Sequence, residues 1–312
     1  MPDIVISEFM DDDAVAGLRR EFSVVYEPDL WNRRADLEKA VVGLPALVVR
    51  NRTKVDAALL NLGASLKVVG RLGVGLDNID VAHAKTKGIA VEAAIGSNAS
   101  SVAEYVIAMS LTLLRGTAYQ ITPALVAGGW PREAAGKGRE VAGLRLGLFG
   151  YGSIGQVVAT LGRAVGMQVA AFDAFVPPAH PAWAGVEQLS FAQLLASSDV
   201  LSLHCPLTPE TKGVIGATQL AAMKPGAILI NSARGGIVDE AALVAALKSG
   251  HLGGAALDTF EPEPITGANG ALFAGLSNVV LTPHIAGVTA QSNVRASTMT
   301  AASVRRILKG GA

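Results

Sequence analysis

The chain has 312 residues, which is long enough for two domains of ordinary size, and half of the residues are hydrophobic. Only 17% are charged and the formal net charge is zero, which excludes the broad basic surface that binds nucleic-acid phosphates. The single cysteine, Cys205, cannot form an intramolecular disulfide, and the first residues lack the basic and apolar regions of a signal peptide. We therefore expect a cytoplasmic protein without a nucleic-acid partner.

Short apolar runs alternate with helical stretches along the whole chain. Continuous apolar runs of this length are typical of parallel strands that are buried on both faces, and their alternation with helices predicts an α/β fold. The predicted strands are 4–6, 46–49, 66–69, 146–149, 168–172, 200–203, 227–230, 254–257 and 278–281.

These strands fall into two groups. A helical segment over about 99–115 and a less regular stretch reaching residue 143 separate the groups, and such a connection is too long for one compact sheet. The sequence therefore predicts one domain over 1–97 and a second over 98–287. Residues 264–294 contain no Asp, Glu, Lys or Arg, but prolines, glycines, asparagines and His284 interrupt them, so we predict no membrane-spanning segment.

A glycine-rich loop, with Gly150, Gly152 and Gly155, joins strand 146–149 to a helical pattern. The first glycine permits a tight turn, the second lets the backbone approach a pyrophosphate, and the third lets the helix pack on the strand. Asp173 ends the next predicted strand, eighteen residues after Gly155, close to where a carboxylate binds the adenosine ribose. That carboxylate would repel a 2′-phosphate, so the loop predicts NAD rather than NADP.

Three chemically capable side chains follow this loop, each after a predicted strand: Arg234, Glu263 and His284. A guanidinium binds a carboxylate through two hydrogen bonds, an imidazole transfers a proton, and a nearby carboxylate keeps that imidazole charged and oriented. Together these three groups can bind a 2-keto acid and supply the proton when a nicotinamide cofactor reduces it by hydride transfer.

Most of the five histidines have contexts typical of structural residues. His83, His180 and His251 lie in helical, proline-rich or connecting segments. His284 differs because it follows a strand end, where open α/β sheets bind ligands.

The chain resembles the D-isomer-specific 2-hydroxyacid dehydrogenase family over almost its whole length, and the residues named so far are part of that resemblance. No position that carries chemistry departs from the family pattern. The segments that carry the resemblance are 71–80, 102–104, the glycine loop, 204–208 with Thr211, 231–239, 257–264 and 282–287. The resemblance implies two doubly wound parallel-sheet domains with a cleft between them. One is a Rossmann NAD-binding domain over 98–287, and the other is a flavodoxin-like substrate domain over 1–97 plus 288–312, to which the last helix returns.

The resemblance also implies roles for individual residues. His284 is expected to be the acid/base, Glu263 rather than Glu261 its partner, and Arg234 the ligand of the substrate carboxylate. Asp258 is expected at the nicotinamide carboxamide. The predicted cofactor-binding residues are Val74, Gly150, Gly152, Ser153, Ile154, Gly155, Asp173, Cys205, Pro206, Thr211, Ser232, Ala233, Arg234, Asp258, His284, Ala286 and Gly287.

Cys205 is expected to line the cofactor rather than to act as a nucleophile, because nothing nearby suggests that a partner base activates its thiolate. No cluster of His, Cys and carboxylate residues has the spacing of a zinc site, so we expect no metal.

Four residues of the first domain are candidates for binding substrate. The backbone of Val74 and Gly75 is expected to bind the substrate carboxylate together with Arg234. Arg50 and Arg71 follow strands 46–49 and 66–69. If these two arginines face the cleft, they favour a substrate with a second anionic group, such as phosphate or sulfonate. The alternative is that both have surface or structural roles.

Several members of the family fit the sequence. Segments in the first domain are similar to both sulfolactate dehydrogenases and 3-phosphoglycerate dehydrogenases, and a glyoxylate or hydroxypyruvate reductase is the third alternative. An NAD-sensing corepressor, which acts as a binding module, is an alternative of another class.

The resemblance further implies a homodimer through the helix from about Ala99 and the segment at Trp130, with Arg132 a candidate to reach the partner's active site.

Overall fold

The computed structural model describes residues 1–116 and 120–311. The chain forms two compact units, the first made of Met1–Asn98 with Val288–Ala312 and the second of Ala99–Gly287. Among the described residues, no helix is both long and apolar enough to cross a membrane.

The first unit contains a five-stranded parallel sheet with the strand order β2-β1-β3-β4-β5. This order is that of flavodoxin-like folds. Its elements are β1 Ile4–Ile6, α1 Asp12–Arg19, β2 Val24–Tyr26, α2 Arg34–Val41, β3 Ala46–Val49, α3 Ala57–Leu62, β4 Val68–Arg71, α4 Val81–Thr86, β5 Ala90–Ala93 and, from the end of the chain, α13 Ala290–Leu308.

The second unit contains a seven-stranded parallel sheet with the order β12-β11-β10-β9-β6-β7-β8. Numbered within the unit, the strands contain the 3-2-1-4-5-6 order of dinucleotide-binding folds. Its elements are α5 Ala99–Leu114, α6 Thr122–Val126, α7 Arg132–Ala135, β6 Arg145–Phe149, α8 Ser153–Ala164, β7 Gln168–Phe172, β8 Glu187–Gln188, α9 Phe191–Ser197, β9 Val200–Leu203, α10 Ala217–Ala222, β10 Ile228–Asn231, α11 Glu240–Lys248, β11 Gly254–Leu257, α12 Gly267–Gly270 and β12 Val279–Leu281.

The structure contains each of the nine predicted strands, with ends displaced by two residues at most. It also contains three strands that the sequence analysis did not predict, β2, β5 and β8, and each lies at the edge of its sheet. β5 contains Glu92 and both residues of β8 are exposed, so neither has the continuous apolar run that marks a central strand. β2 is apolar, but it is only three residues long and partly exposed.

Helix α5 packs inside the second unit. Its Val102, Ala103 and Val106 belong to one buried cluster with Ala159 of α8 and Ile230 of β10. Small side chains at positions 103 and 159 let the two helices approach closely. This packing fixes α5 against the sheet whose strand ends carry the candidate site.

Candidate active site

The predicted site residues of the second unit lie after the carboxyl ends of its parallel strands. Open α/β sheets bind ligands at this edge. The glycine loop follows β6, Asp173 follows β7, Cys205 and Pro206 follow β9, Ser232 to Arg234 follow β10, Asp258 and Glu263 follow β11, and His284 to Gly287 follow β12. Thr211 lies in the turn after β9, where its hydroxyl donates to the Pro206 carbonyl at 2.7 Å.

The glycine loop has the geometry that its three glycines permit. Gly150 has a φ of +99°, and a Cβ there would lie 2.7 Å from the His204 carbonyl carbon. A Cβ on Gly155 would lie 2.5 Å from the Gly150 oxygen, so this glycine allows the helix to pack on the strand. A Cβ on Gly152 would meet no atom within 4 Å. The space beside Gly152 is therefore open.

This loop fits the pyrophosphate of a dinucleotide. Helix α8 begins at Ser153, and its N-cap residue, Gly152, offers no side chain to the first amide groups. Uncapped amides at a helix N-terminus bind anions. Asp173 accepts hydrogen bonds from the backbone N–H of Tyr151 at 2.7 Å and of Phe175 at 2.8 Å, and so ties the end of β7 to the loop. When bound there, NAD supplies or accepts a hydride at its nicotinamide ring.

Glu263 and His284 form a hydrogen-bonded pair. The Nδ1 atom of His284 lies 2.8 Å from Oε2 of Glu263, while Oε1 of Glu263 accepts the Phe260 backbone N–H at 3.0 Å. The side chain of His284 is 47% exposed and that of Glu263 is 34% exposed, so the pair can reach a substrate. Because Nδ1 is occupied, Nε2 is the ring atom left to exchange a proton with a substrate oxygen.

The charge state of Glu263 follows from its surroundings. Burial by itself raises the pKa of this carboxyl, but the hydrogen bond and charge of His284, the Phe260 amide and the charge of Arg234 together lower it below its ordinary value of 4.5. Glu263 is therefore ionised at neutral pH and favours a charged imidazole beside it. Because its folded-state pKa is depressed, the pairing stabilises the folded chain above about pH 4.5 and is lost as the pH falls.

The loop that carries Arg234 is fixed by Asn231 at the end of β10. The Asn231 side chain accepts the Ala233 N–H at 3.1 Å and donates to the Arg234 carbonyl at 2.9 Å. A Cβ on Gly235 would overlap the backbone carbonyl of Phe260. The loop after β10 therefore lies directly against the loop that carries Glu263, and the structure brings Arg234, Glu263 and His284 together within one unit.

His284 has an uncommon backbone conformation. Its φ is +56°, and it is the one non-glycine residue with positive φ in the described part of the chain. Its N–H donates to the backbone carbonyls of Asp258 and Thr282, at 2.9 and 3.0 Å. The Asp258 carboxylate accepts the N–H groups of Ile285 and Ala286, each at 2.8 Å. Asp258 thus organises the His284 loop, while its expected contact with the cofactor stays a prediction.

His204 and Cys205, which follow β9, are unsuited to proton transfer and to nucleophilic attack, respectively. Burial lowers the pKa of His204 to about 4, so this imidazole is neutral, and its Nε2 lies 2.9 Å from the Ser202 hydroxyl. Burial raises the pKa of the Cys205 thiol to about 11, which removes the thiolate that a nucleophile requires. In the described ranges, no group of three or more His, Cys, Asp and Glu side chains could hold a metal ion.

The candidate substrate residues of the first unit also follow strand ends. Arg50 comes directly after β3, and Arg71 ends β4 with Val74 and Gly75 in the loop beyond it. The Arg71 guanidinium donates to the Leu72 carbonyl at 2.8 Å.

Sequence reasoning missed several side chains that lie close to predicted site residues, among them Thr282, Tyr105, Phe9 and Asn293. Thr282 bonds Asp258, and Tyr105 bonds Thr282. Phe9 and Asn293 contact Arg50. Only Thr282 has a signal in the sequence, since it lies two residues before His284.

A dinucleotide-binding sheet with an arginine and a Glu–His pair at the carboxyl ends of its strands defines a nucleotide-dependent dehydrogenase. The family model for the D-isomer specific 2-hydroxyacid dehydrogenase, NAD binding domain, matches residues 107–286, more than half of the chain. The chain belongs to this family. It is an NAD-dependent oxidoreductase that interconverts a D-2-hydroxy acid and its 2-keto acid.

Known proteins are similar over nearly the whole chain. An (S)-sulfolactate dehydrogenase from Chromohalobacter salexigens is 50% identical over 309 residues, which cover 99% of each chain. A D-3-phosphoglycerate dehydrogenase from Mycobacterium leprae is 43% identical over 99% of this chain, which spans 57% of that relative. The solved structure of D-lactate dehydrogenase from Aquifex aeolicus, complexed with NAD and lactic acid, superposes with a TM-score of 0.81 at 29% identity, covering 98% of this chain and 95% of that one.

Replacing Glu263 with Gln tests the pairing. The amide keeps the size of the side chain but removes the negative charge that favours a protonated imidazole. Glu263→Gln is expected to have a kcat for keto-acid reduction about tenfold lower and a shifted pH profile of kcat/KM. Glu261→Gln is the matched control, two residues away, and should leave the profile unchanged. Identical profiles for parental protein and Glu263→Gln would remove Glu263 from the mechanism.

Proposed function

We propose that this dehydrogenase interconverts (S)-sulfolactate and sulfopyruvate. The observation that carries this proposal is Arg50, a partly buried cation at the carboxyl end of β3. Within the described residues it forms no ion pair, and burial, followed by repulsion from Arg52, lowers the pKa of its guanidinium despite the charge of Glu8. A partly desolvated cation that forms no ion pair is costly, and an anionic substituent on the substrate offsets that cost.

The surroundings of Arg50 hold it in place. Its Nη2 atom donates to Oδ1 of Asn293 at 2.7 Å, and its guanidinium carbon lies 5.8 Å from the centre of the Phe9 ring. The buried Glu8 carboxylate accepts the backbone N–H of Arg50 at 2.7 Å and of Thr53 at 2.9 Å. A fixed planar guanidinium suits a sulfonate, whose oxygens accept parallel hydrogen bonds.

The other predicted residues complete the reaction. Arg234 of the second unit binds the substrate carboxylate. In the first unit, the backbone N–H groups of Val74 and Gly75 have no hydrogen-bond partner among the described residues, which leaves both able to donate to a substrate oxygen. Arg71 supports the second anionic group. During reduction, Nε2 of His284 gives its proton to the keto oxygen as hydride reaches C2, and during oxidation it takes the hydroxyl proton.

The (S) label agrees with a D-specific family. In lactate the carboxylate outranks the methyl group in the priority rules. In sulfolactate the sulfur-bearing carbon outranks the carboxylate, which exchanges two priorities. A substrate with the spatial arrangement of D-lactate is therefore named (S)-sulfolactate, and no change in the site is required.

The test is a screen of NADH oxidation with sulfopyruvate, 3-phosphohydroxypyruvate, hydroxypyruvate, glyoxylate and pyruvate. Sulfopyruvate is expected to have a kcat/KM about 10- to 100-fold above that of pyruvate, because a charge-assisted hydrogen bond contributes about 1.5–3 kcal/mol. Arg50→Ala should remove most of that preference while changing the rate with pyruvate by about twofold at most. Arg52→Ala is the matched control, since this arginine of the same loop stacks on Trp31 instead. Equal losses for sulfopyruvate and pyruvate in Arg50→Ala would overturn the role of Arg50.

The second candidate substrate is 3-phosphoglycerate. Similarity to the D-3-phosphoglycerate dehydrogenase from Mycobacterium leprae supports this candidate. The Arg50 guanidinium, held beside the Phe9 ring, can bind a phosphate as well as a sulfonate. The highest kcat/KM with 3-phosphohydroxypyruvate would select it. A preference for glyoxylate or hydroxypyruvate would instead assign a reductase without a second anion. No turnover of any of the five would favour the corepressor-like binding function.

We further propose that the protein is a cytoplasmic homodimer. Helices α6 and α7 contain no buried residue, and the side chains of Val126 and Trp130 are 83% and 79% exposed. Exposed apolar side chains this close together favour an interface with a second copy. Sedimentation should give a dimer for the parental chain and a monomer for Val126→Glu, while Val42→Glu, at a 56% exposed position elsewhere, should stay dimeric. If the unsubstituted protein sedimented as a monomer, the proposal of a homodimer would be refuted.

A further inference from the structure

We infer that Tyr105 and Thr282 are positioning residues for His284, acting through Asp258. The hydroxyl of Tyr105, on α5, lies 2.9 Å from the Thr282 hydroxyl, which lies 2.6 Å from Oδ1 of Asp258. The three side chains connect the middle of α5 to the loop that carries the acid/base residue.

The direction of each hydrogen bond follows from the number of protons that each group can donate. Thr282 donates its single hydroxyl proton to the Asp258 carboxylate, which can only accept. The Thr282 oxygen must therefore accept from Tyr105, and Tyr105 must donate. Burial raises the pKa of the Tyr105 phenol to about 12, so this hydroxyl keeps its proton throughout the neutral range. The chain of hydrogen bonds has one direction, from α5 to Asp258.

Asp258 transmits this restraint to the backbone around His284. Its side chain is 1% exposed, and the oxygen that accepts from Thr282 also accepts the Ile285 N–H. Its own backbone carbonyl accepts the N–H of His284. A left-handed conformation at a residue with a Cβ persists only where several contacts determine it together. Tyr105 and Thr282 fix the carboxylate that supplies these contacts, and thereby the direction of the imidazole.

A double-mutant cycle on kcat tests this arrangement with the best keto acid of the screen. Tyr105→Phe is expected to lower kcat about three- to tenfold, and Thr282→Val about 10- to 100-fold, because each removes a buried hydrogen bond. The double variant should match Thr282→Val within about twofold, since the Tyr105 hydroxyl acts only through Thr282. Thr282→Ser, which retains the hydroxyl, should restore kcat. The KM for the keto acid and the Kd for NADH should change by about twofold at most, because these side chains bind neither molecule.

Tyr26→Phe is the control for a purely structural loss. This hydroxyl donates to the Met10 carbonyl at 3.1 Å in the other unit, so the variant should lose stability to a similar extent without losing kcat. The His284 imidazole nitrogen resonances, assigned against His284→Ala, give a readout that needs no turnover: they should move in Tyr105→Phe and stay in Tyr26→Phe. Multiplicative effects in the cycle, or unmoved resonances in Tyr105→Phe, would overturn the inference.

Discussion

Replacing His284 with Asn is expected to lower kcat about 100- to 10,000-fold in both directions, the range of a lost general acid/base. Asn is the informative replacement because it tolerates a positive φ better than most residues, so the loop should keep its conformation. His284→Ala should lose as much activity and slightly more stability. Steady-state rates of keto-acid reduction and hydroxy-acid oxidation, with thermal unfolding of each variant, measure both effects.

The outcome separates proton transfer from loop geometry. If His284→Asn retained activity within a few-fold of the parental protein while His284→Ala did not, the imidazole would be dispensable and the loop conformation would be the requirement. Activity of both variants near the parental level would mean that another group transfers the proton. His204 is a poor replacement, because burial lowers its pKa to about 4.

Replacing Arg234 with Ala is expected to lower kcat/KM about 100- to 10,000-fold. The guanidinium can bind the substrate carboxylate through two charge-assisted hydrogen bonds, each contributing about 1.5–3 kcal/mol. Arg234→Lys should recover only part of the loss, because an ammonium provides a point charge without the planar pair of donors. Kinetics with saturating NADH and a titrated keto acid measure the change.

A matched measurement shows whether the loss is specific. The Kd for NADH, followed by fluorescence, should stay within about tenfold of the parental value if Arg234 mainly binds substrate. A parallel collapse of NADH binding would instead assign Arg234 mainly to the cofactor. Unchanged kcat/KM in Arg234→Ala would exclude the residue from substrate binding.

The central strands of both sheets could be predicted because each is a short, continuous apolar run. Of the edge strands, β12 could be predicted, but β5 and β8 could not: β5 contains Glu92 and is only partly buried, and both residues of β8 are exposed. For such strands, pairing with a neighbour outweighs the weak local pattern. The sequence therefore predicts the interior of a sheet better than its borders.

The residues of the candidate site also fall into two groups, those with a local sequence pattern and those without one. Arg234, Glu263 and His284 could be found because each lies in a short run after a strand and carries chemistry of its own. The contacts that orient them join distant parts of the chain: Tyr105 and Thr282 are 177 residues apart, and Arg50 and Asn293 are 243 apart. A single hydroxyl or amide at such a separation leaves no periodic or local pattern, so only the fold reveals it.

The close approach at Gly235 bears on how substrate binds. Because a methyl group at this position would overlap the Phe260 carbonyl, the loops with Arg234 and Glu263 pack backbone against backbone. Neither loop can drift without displacing the other. A mobile binding loop loses conformational entropy when a ligand orders it. At this contact the loss has already occurred during folding, so binding of the proposed substrate to Arg234 would not have to order these two loops.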